Sequence, residues 1–273
     1  MLRPDPATLR RMNDLAGKIR RGVLEQSRAA NVGHIGSSLS VVEIIATLWG
    51  GLLRHAGTEQ PNRDRFVLCK GHAALALYVA MHHAGLMDEA TLGTYCADGT
   101  HLGVHPEACL AGIDVATGSL GQGLSVACGL AHGLRLRQSP ARVFALLSDA
   151  ECNEGQVWEA AQFAAHHRLS HLTAIIDANG SQALGPTRDV LNLAPMAARW
   201  EAFGWDAVEV DGHDTAQLAE ALIPRGIGKP RLVVARTVLG KGVGYMENQV
   251  AWHYLPMSAQ QYEQALNGLE AVA

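Results

Sequence analysis

Apolar side chains return at helical intervals through the first thirty residues. Leu9, Met12, Ala16, Ile19 and Val23 fall on one face with polar residues between them, which predicts an amphipathic helix. Further helices are predicted over 41–53, 71–85, 89–97 and 123–138. Short apolar runs of strand length lie at 66–68, 113–116, 143–147, 172–176, 207–210 and 232–235. From 143 onward strands alternate with helical stretches at 154–168, 194–203 and 215–223. A final helix over 258–270 follows Pro256. Strands that are apolar on both faces and separated by helices predict an α/β fold, a doubly wound, mostly parallel sheet with helices on both faces. No repeat, low-complexity tract or linker divides the chain, so residues 1–273 are expected to form a single domain.

Composition narrows the function. The 273 residues carry 22 basic and 26 acidic side chains, a net charge of −4 that lacks the basic excess of a nucleic-acid binder. No apolar run reaches the roughly 18 residues that a membrane span needs. The N-terminus has no apolar signal core. Five dispersed cysteines, Cys69, Cys96, Cys109, Cys128 and Cys152, form no CxxC pair or zinc pattern. They are expected to be reduced thiols in a cytoplasmic protein. Twenty-nine glycines imply tight turns, and thirteen histidines are the first chemical signal.

Open parallel sheets bind ligands beyond the carboxyl ends of their strands. Three polar segments follow predicted strands: Thr117-Gly118-Ser119-Leu120-Gly121-Gln122-Gly123, Ser148-Asp149-Ala150-Glu151-Cys152-Asn153-Glu154-Gly155, and Asp177-Ala178-Asn179-Gly180-Ser181. Acidic and amide groups thus collect at neighbouring strand ends, where a hard cation carrying a polyphosphate would find oxygen ligands and N–H donors. Either motif alone reads more readily as a helix cap or a turn. The chain has no GxGxxG after a strand, no phosphate loop, no HExxH and no GxSxG. His82-His83 and His166-His167 lack acidic partners at ligand spacing and are expected to be surface or packing residues.

Together these residues resemble transketolases. Ser148-Asp149-Ala150 and Asn179, with Asp149 and Asn179 30 positions apart, are similar to the thiamine-diphosphate motif that begins Gly-Asp-Gly and ends in Asn. Four other segments match the amino-terminal part of transketolases in order: Gly33-His34-Ile35-Gly36-Ser37-Ser38, Asp64 to His72, Val104-His105-Pro106-Glu107, and Thr117 to Gly123. Gly240-Lys241-Gly242, Met246-Glu247-Asn248 and Trp252-His253 resemble the closing segments of split transketolases. The likeness covers residues 15 to 257.

The resemblance implies the thiamine-diphosphate-binding fold and a transferase moving a two-carbon ketol unit between sugars or sugar phosphates, with thiamine diphosphate and Mg²⁺ as cofactors. It implies that Asp149 and Asn179 ligate the ion through side-chain oxygens and Ser181 through its carbonyl. It gives His72 and His253 to the diphosphate, and His34, His105 and His253 to the channel over the reacting carbon. Gly118, Ser119 and Leu120 would face the aminopyrimidine, Ala150 would lie beside the diphosphate, and Glu154 would meet a partner's activating glutamate. It further implies that this chain needs a second subunit carrying the pyrimidine-binding domain, in a heterotetramer. Three departures from the pattern stand out: Ala150 and Val104 replace glycines, and Gly180 follows the Asn. Those at Ala150 and Gly180 motivate one alternative, a non-catalytic regulatory subunit. Another is a different thiamine enzyme, of the deoxyxylulose-phosphate synthase or 2-oxo acid dehydrogenase kind.

Overall fold

A computed structural model describes residues 4–270. Chain order runs from α1 (Pro6–Ala30), α2 (Ile35–Ser40) and α3 (Val42–Thr47) to β1 (Arg65–Leu68), then α4 (Ala74–His83), α5 (Glu89–Leu92) and α6 (Gln122–Leu136). Next come β2 (Val143–Ser148), α7 (Gly155–His166), β3 (Leu172–Ala178), a small hairpin of β4 (Ser181–Gln182) and β5 (Gly185–Pro186), α8 (Thr187–Val190) and α9 (Met196–Ala202). The chain closes with β6 (Asp206–Asp211), α10 (Thr215–Ala221), β7 (Arg231–Arg236) and α11 (Ala259–Glu270). Five strands form one parallel sheet in the order β1-β2-β3-β7-β6.

Alternation along each strand builds two cores. Phe144, Leu146, Ile175 and Val233 point to one face and meet α1 to α4, α10 and α11. Val143, Ala145, Leu147, Ala174 and Ile176 point to the other and meet α6, α7 and α9. The doubly wound fold expected from the strand pattern is therefore present, with helices on both faces. The first helix follows its sequence cues closely. Asp5 caps it by accepting from the N–H groups of Ala7 and Thr8 at 2.9 and 3.0 Å, Pro6 opens its first turn, and Met12, Ala16, Ile19 and Val23 are buried. No helix among the described residues is long and apolar enough to cross a membrane.

Three expectations need correction. The helix expected over 89–97 ends at Leu92 and continues as turns. Residues 113–116 form no strand. Asp114, in their midst, accepts a paired contact from Arg63 and lies 3.6 Å from Arg65, so the run is a loop tied by ions to the start of β1. The helix expected over 41–53 is broken. Val41 leaves helical geometry at ψ 6°, and a widened π-turn spans Leu48–Leu52. Close approach of α1 accounts for that turn: a Cβ on Gly50 would sit 3.2 Å from the Met12 Cα, and the Gly50 carbonyl accepts from Arg11 Nε at 2.8 Å.

Candidate active site

The residues named from sequence gather at the carboxyl edge of the sheet in two groups. At the ends of β2 and β3, Asp149 and the loop 179–181 are drawn together. The Gly180 N–H donates to Asp149 Oδ2 at 2.9 Å, the Thr187 hydroxyl donates to the same oxygen at 3.1 Å, and the Ala150 N–H donates to Oδ1 at 2.8 Å. The carboxylate is thus held rigidly while keeping unused acceptor positions. Gly180 makes this possible because its φ of +70° is left-handed. Ala150, standing where a glycine is usual, has negative φ and starts a short 3₁₀ turn, so its methyl brings no backbone strain. Val104 also has ordinary negative φ. Burial, and then the nearby Asp177 carboxylate, push the Asp149 acid up to about 6 against the opposing N–H donors. That is a site short of positive charge.

Asn179 is buried, and its orientation is decided by its neighbours. Its Nδ2 donates to Asp177 Oδ2 at 2.9 Å, and a carboxylate can only accept, so Oδ1 is turned toward the loop, 3.0 Å from the Ser181 N–H. Asp177 is fully buried and also receives Lys70 Nζ, the Ser40 hydroxyl at 2.7 Å and the Thr237 hydroxyl. Three segments distant in sequence therefore converge with the neighbouring Asn179 on one carboxylate.

The second group is a triangle of imidazoles. His34, His72 and His253 have ring centroids 5.4 to 5.6 Å apart. Each arrives on a tight turn: His34 at φ 60° before α2, His72 in the 3₁₀ turn after β1, and His253 in the 3₁₀ turn Val250–His253. Glycines let these turns meet. A Cβ on Gly33 would lie 2.0 Å from the Tyr254 carbonyl oxygen, and one on Gly36 would lie 3.2 Å from that of Trp252. The Gly240 N–H closes the same joint by donating to the Gly36 carbonyl at 3.0 Å. Burial, with the Lys70 ammonium and the neighbouring rings, drives His72 well below the usual imidazole range and His253 down to about 4. Burial, His105 and Lys70 lower His34 as well. All three are neutral near pH 7, and the buried His34 Nδ1 has no partner. Lys70 links the groups, since its Nζ lies 3.5 Å from the Ser37 carbonyl while Ser37 Oγ lies 3.4 Å from His253 Nδ1.

His105 is exposed and leans on Gly118, where an added Cβ would fall 2.8 Å from its ring. The Gly118 loop is not carried by a strand, as expected, but is pinned to one: the Thr117 hydroxyl donates to the Leu68 carbonyl at 2.6 Å. Ser119 is exposed, Leu120 half-buried, and Glu154 exposed at the start of α7 beside Gly121. His82 Nδ1 contacts the Met87 carbonyl at 3.0 Å, and His166 and His167 pack edge to face, so both pairs are occupied by local contacts. Sequence reasoning missed Lys70, Ser40, Thr237, Glu151 and the organising role of Asp177. Lys70 and Asp177 carried a signal, each being an ionisable group at the carboxyl end of an apolar strand. Ser40 and Thr237 carried none.

The fold is a doubly wound α/β domain with its polar and ionisable groups gathered at the carboxyl edge of the sheet. The match to the family described as the transketolase, thiamine diphosphate binding domain runs over residues 12–269. The 6-deoxy-6-sulfo-D-fructose transketolase subunit SqwG of Clostridium sp. (strain MSTE9) is 38% identical over 260 residues, covering 93% of this chain and 94% of that one. One of the subunits of the apulose-4-phosphate transketolase of Phocaeicola vulgatus is 36% identical over 253 residues, covering 91% of this chain and 90% of that one. The transketolase structure from Leishmania mexicana superposes with a TM-score of 0.88 at 26% identity, over 95% of this chain but 41% of its own. The chain thus spans less than half of that longer transketolase and nearly all of the two subunits. It belongs to the transketolase family, as the cofactor-binding subunit of a transketolase-like enzyme.

Proposed function

We propose that this chain binds Mg²⁺ and thiamine diphosphate and, with a partner subunit, transfers a two-carbon ketol unit between sugars or sugar phosphates. The observation that carries the reading is the juxtaposition of an all-oxygen cradle, Asp149 with the Asn179–Ser181 loop, and a neutral imidazole triangle joined to it through Lys70 and Asp177. The donor set suits a hard cation. Asp149, Asn179 Oδ1 and the Ser181 carbonyl supply three oxygens, and diphosphate and water would complete six.

When bound, thiamine diphosphate supplies the electron sink that cleavage beside a ketone requires. This chain's own residues bind and move protons around it. His72 and His253, kept neutral, donate N–H groups to the diphosphate without adding charge. His34, His105 and His253 hold sugar hydroxyls and exchange protons with them. Gly118, Ser119 and Leu120 offer backbone groups to the aminopyrimidine, Ala150 lies at the diphosphate, and Glu154 projects toward the activating glutamate of the partner's pyrimidine domain. The Gly118–Gly129 stretch and α7 are the surface we assign to subunit contact, in a heterotetramer of two copies of each chain. The ordinary φ of Ala150 and the left-handed fit of Gly180 support the catalytic reading over that of a regulatory subunit. Five free cysteines, three of them buried, support a cytoplasmic setting.

The test is to purify the chain with the product of a neighbouring reading frame and to assay ketol transfer with thiamine diphosphate and Mg²⁺. Activity is expected from the assembly, lost with EDTA, and absent from the Asp149→Ala assembly, whose calorimetric cofactor binding should also vanish. Unchanged cofactor binding by Asp149→Ala would overturn the metal assignment.

A further inference from the structure

Glu151 is fully buried, and the proposed reaction gives it no task. It lies in the 3₁₀ turn Ala150–Asn153 and reaches back across the site. Its Oε1 accepts the Gly121 N–H at 2.8 Å, and its Oε2 accepts the Ser148 N–H at 3.3 Å. Its own N–H donates to the Ser148 hydroxyl at 3.1 Å, and its carbonyl accepts the Glu154 N–H at 3.0 Å. One side chain thus joins the end of the Gly118–Leu120 loop to the end of β2, the residue before Asp149.

That joint has little other support. Upstream, the loop is held at Thr117 by the Leu68 and Pro106 carbonyls. Downstream, the other side-chain hydrogen bond to it is a longer one, Gln156 Nε2 to the Leu120 carbonyl at 3.4 Å. Gly121 must be a glycine at φ +91°, since a Cβ there would lie 2.7 Å from that of Glu154. Shape therefore brings the two segments together, and Glu151 sets their separation. A buried carboxylate is a costly way to satisfy two N–H groups unless the spacing it imposes matters.

We propose that Glu151 is a positioning residue that fixes the distance between the loop facing the aminopyrimidine and the loop holding the metal and diphosphate. The proposal rests on the cofactor reading given under Proposed function. It concerns the span of the ligand, so it separates ligands by their length. Thiamine diphosphate touches both loops, whereas inorganic pyrophosphate with Mg²⁺ touches only the metal end.

The experiment is calorimetric titration of the chain assembled with its partner subunit, and of assemblies carrying Glu151→Ala or Glu151→Gln, with each of these two ligands, in Mg²⁺. Glu151→Ala is expected to weaken thiamine diphosphate about 10–100-fold, the range seen when groups supporting a ligand shell are removed. Pyrophosphate should change less than about twofold. Glu151→Gln, which keeps an acceptor for Gly121, should restore most of the loss. Equal weakening of both ligands would show a general packing defect and overturn the proposal, as would unchanged thiamine diphosphate binding. If Glu151→Ala does not fold, Glu151→Asp, which keeps the charge but shortens the reach, must show the same selective loss, and its absence overturns the proposal. Failure of the unsubstituted assembly to bind either ligand overturns the cofactor reading and this inference with it. Normal binding by the unsubstituted assembly together with an unaffected alanine variant overturns this inference alone.

Discussion

Replacing Asp177 by Asn tests how the carboxyl edge of the sheet is held. In the folded chain Asp177 has no solvent exposure and accepts from Lys70 Nζ, Ser40 Oγ, Thr237 Oγ1 and Asn179 Nδ2. An Asn places an NH₂ among four donors and leaves the buried Lys70 ammonium without its counter-charge. Breaking a buried pair from one side costs about 3–5 kcal/mol. For a chain of this size that lowers Tm by roughly 6–20 °C. Lys70→Met should cost less, about 1–3 kcal/mol, because the carboxylate keeps three hydroxyl or amide donors. The double variant leaves no unpaired charge, so its loss should fall short of the sum of the two singles by about 2 kcal/mol. Urea unfolding of the four proteins, with constant m, measures the cycle. The same substitution frees the Asn179 amide to rotate, so Mg²⁺-dependent cofactor binding should weaken even where the fold survives. An Asp177→Asn variant within about 1 kcal/mol of the parent, or a strictly additive cycle, would refute the reasoning.

Asp64 gives a pH test. Burial pushes its acid up, but hydrogen bonds from Arg54 and Arg142 outweigh this and hold it at about 2, against 3.8 ordinarily. A depressed carboxylate stabilises the fold above the unfolded value and loses that contribution as pH falls from about 4 to 2; the gap of about 2 kcal/mol between parent and Asp64→Asn at pH 7 should therefore shrink toward pH 2 in denaturant titrations. His105→Ala should lower ketol-transfer turnover roughly 10²–10⁴-fold with little change in Tm, because the exposed ring serves substrate more than packing. Normal turnover with a large drop in Tm would show the opposite. Gly121→Ala should cost at least about 1–2 kcal/mol from left-handed strain alone, read by thermal melting, and a neutral result would contradict the close approach to Glu154.

Local periodicity and strand-end chemistry were enough to identify α1, the buried strands β2, β3 and β7, and the polar segments of Asp149 and Asn179 that follow them. These features are legible because each depends on neighbours a few residues away: a helical stripe, or an apolar run ending in an acid. The π-turn at Leu48–Leu52 was not, since Gly50 and Gly51 answer to Met12 of α1 and not to their own segment. Residues 113–116 carried a strand's pattern, yet Arg63 and Arg65 claim Asp114 and hold the run as a loop. The site itself belongs to tertiary structure. Ser37 meets His253 across 216 positions, and Lys70 meets Asp177 across 107. Sheet order β1-β2-β3-β7-β6 places those strand ends side by side, and Gly33 and Gly36 leave room for the chain at Trp252–Tyr254 to close over them. A sequence records which side chains prefer burial or a turn. Which distant carboxylate, ammonium and imidazoles share one pocket is decided only when the two cores pack against the sheet and fix those ends in space.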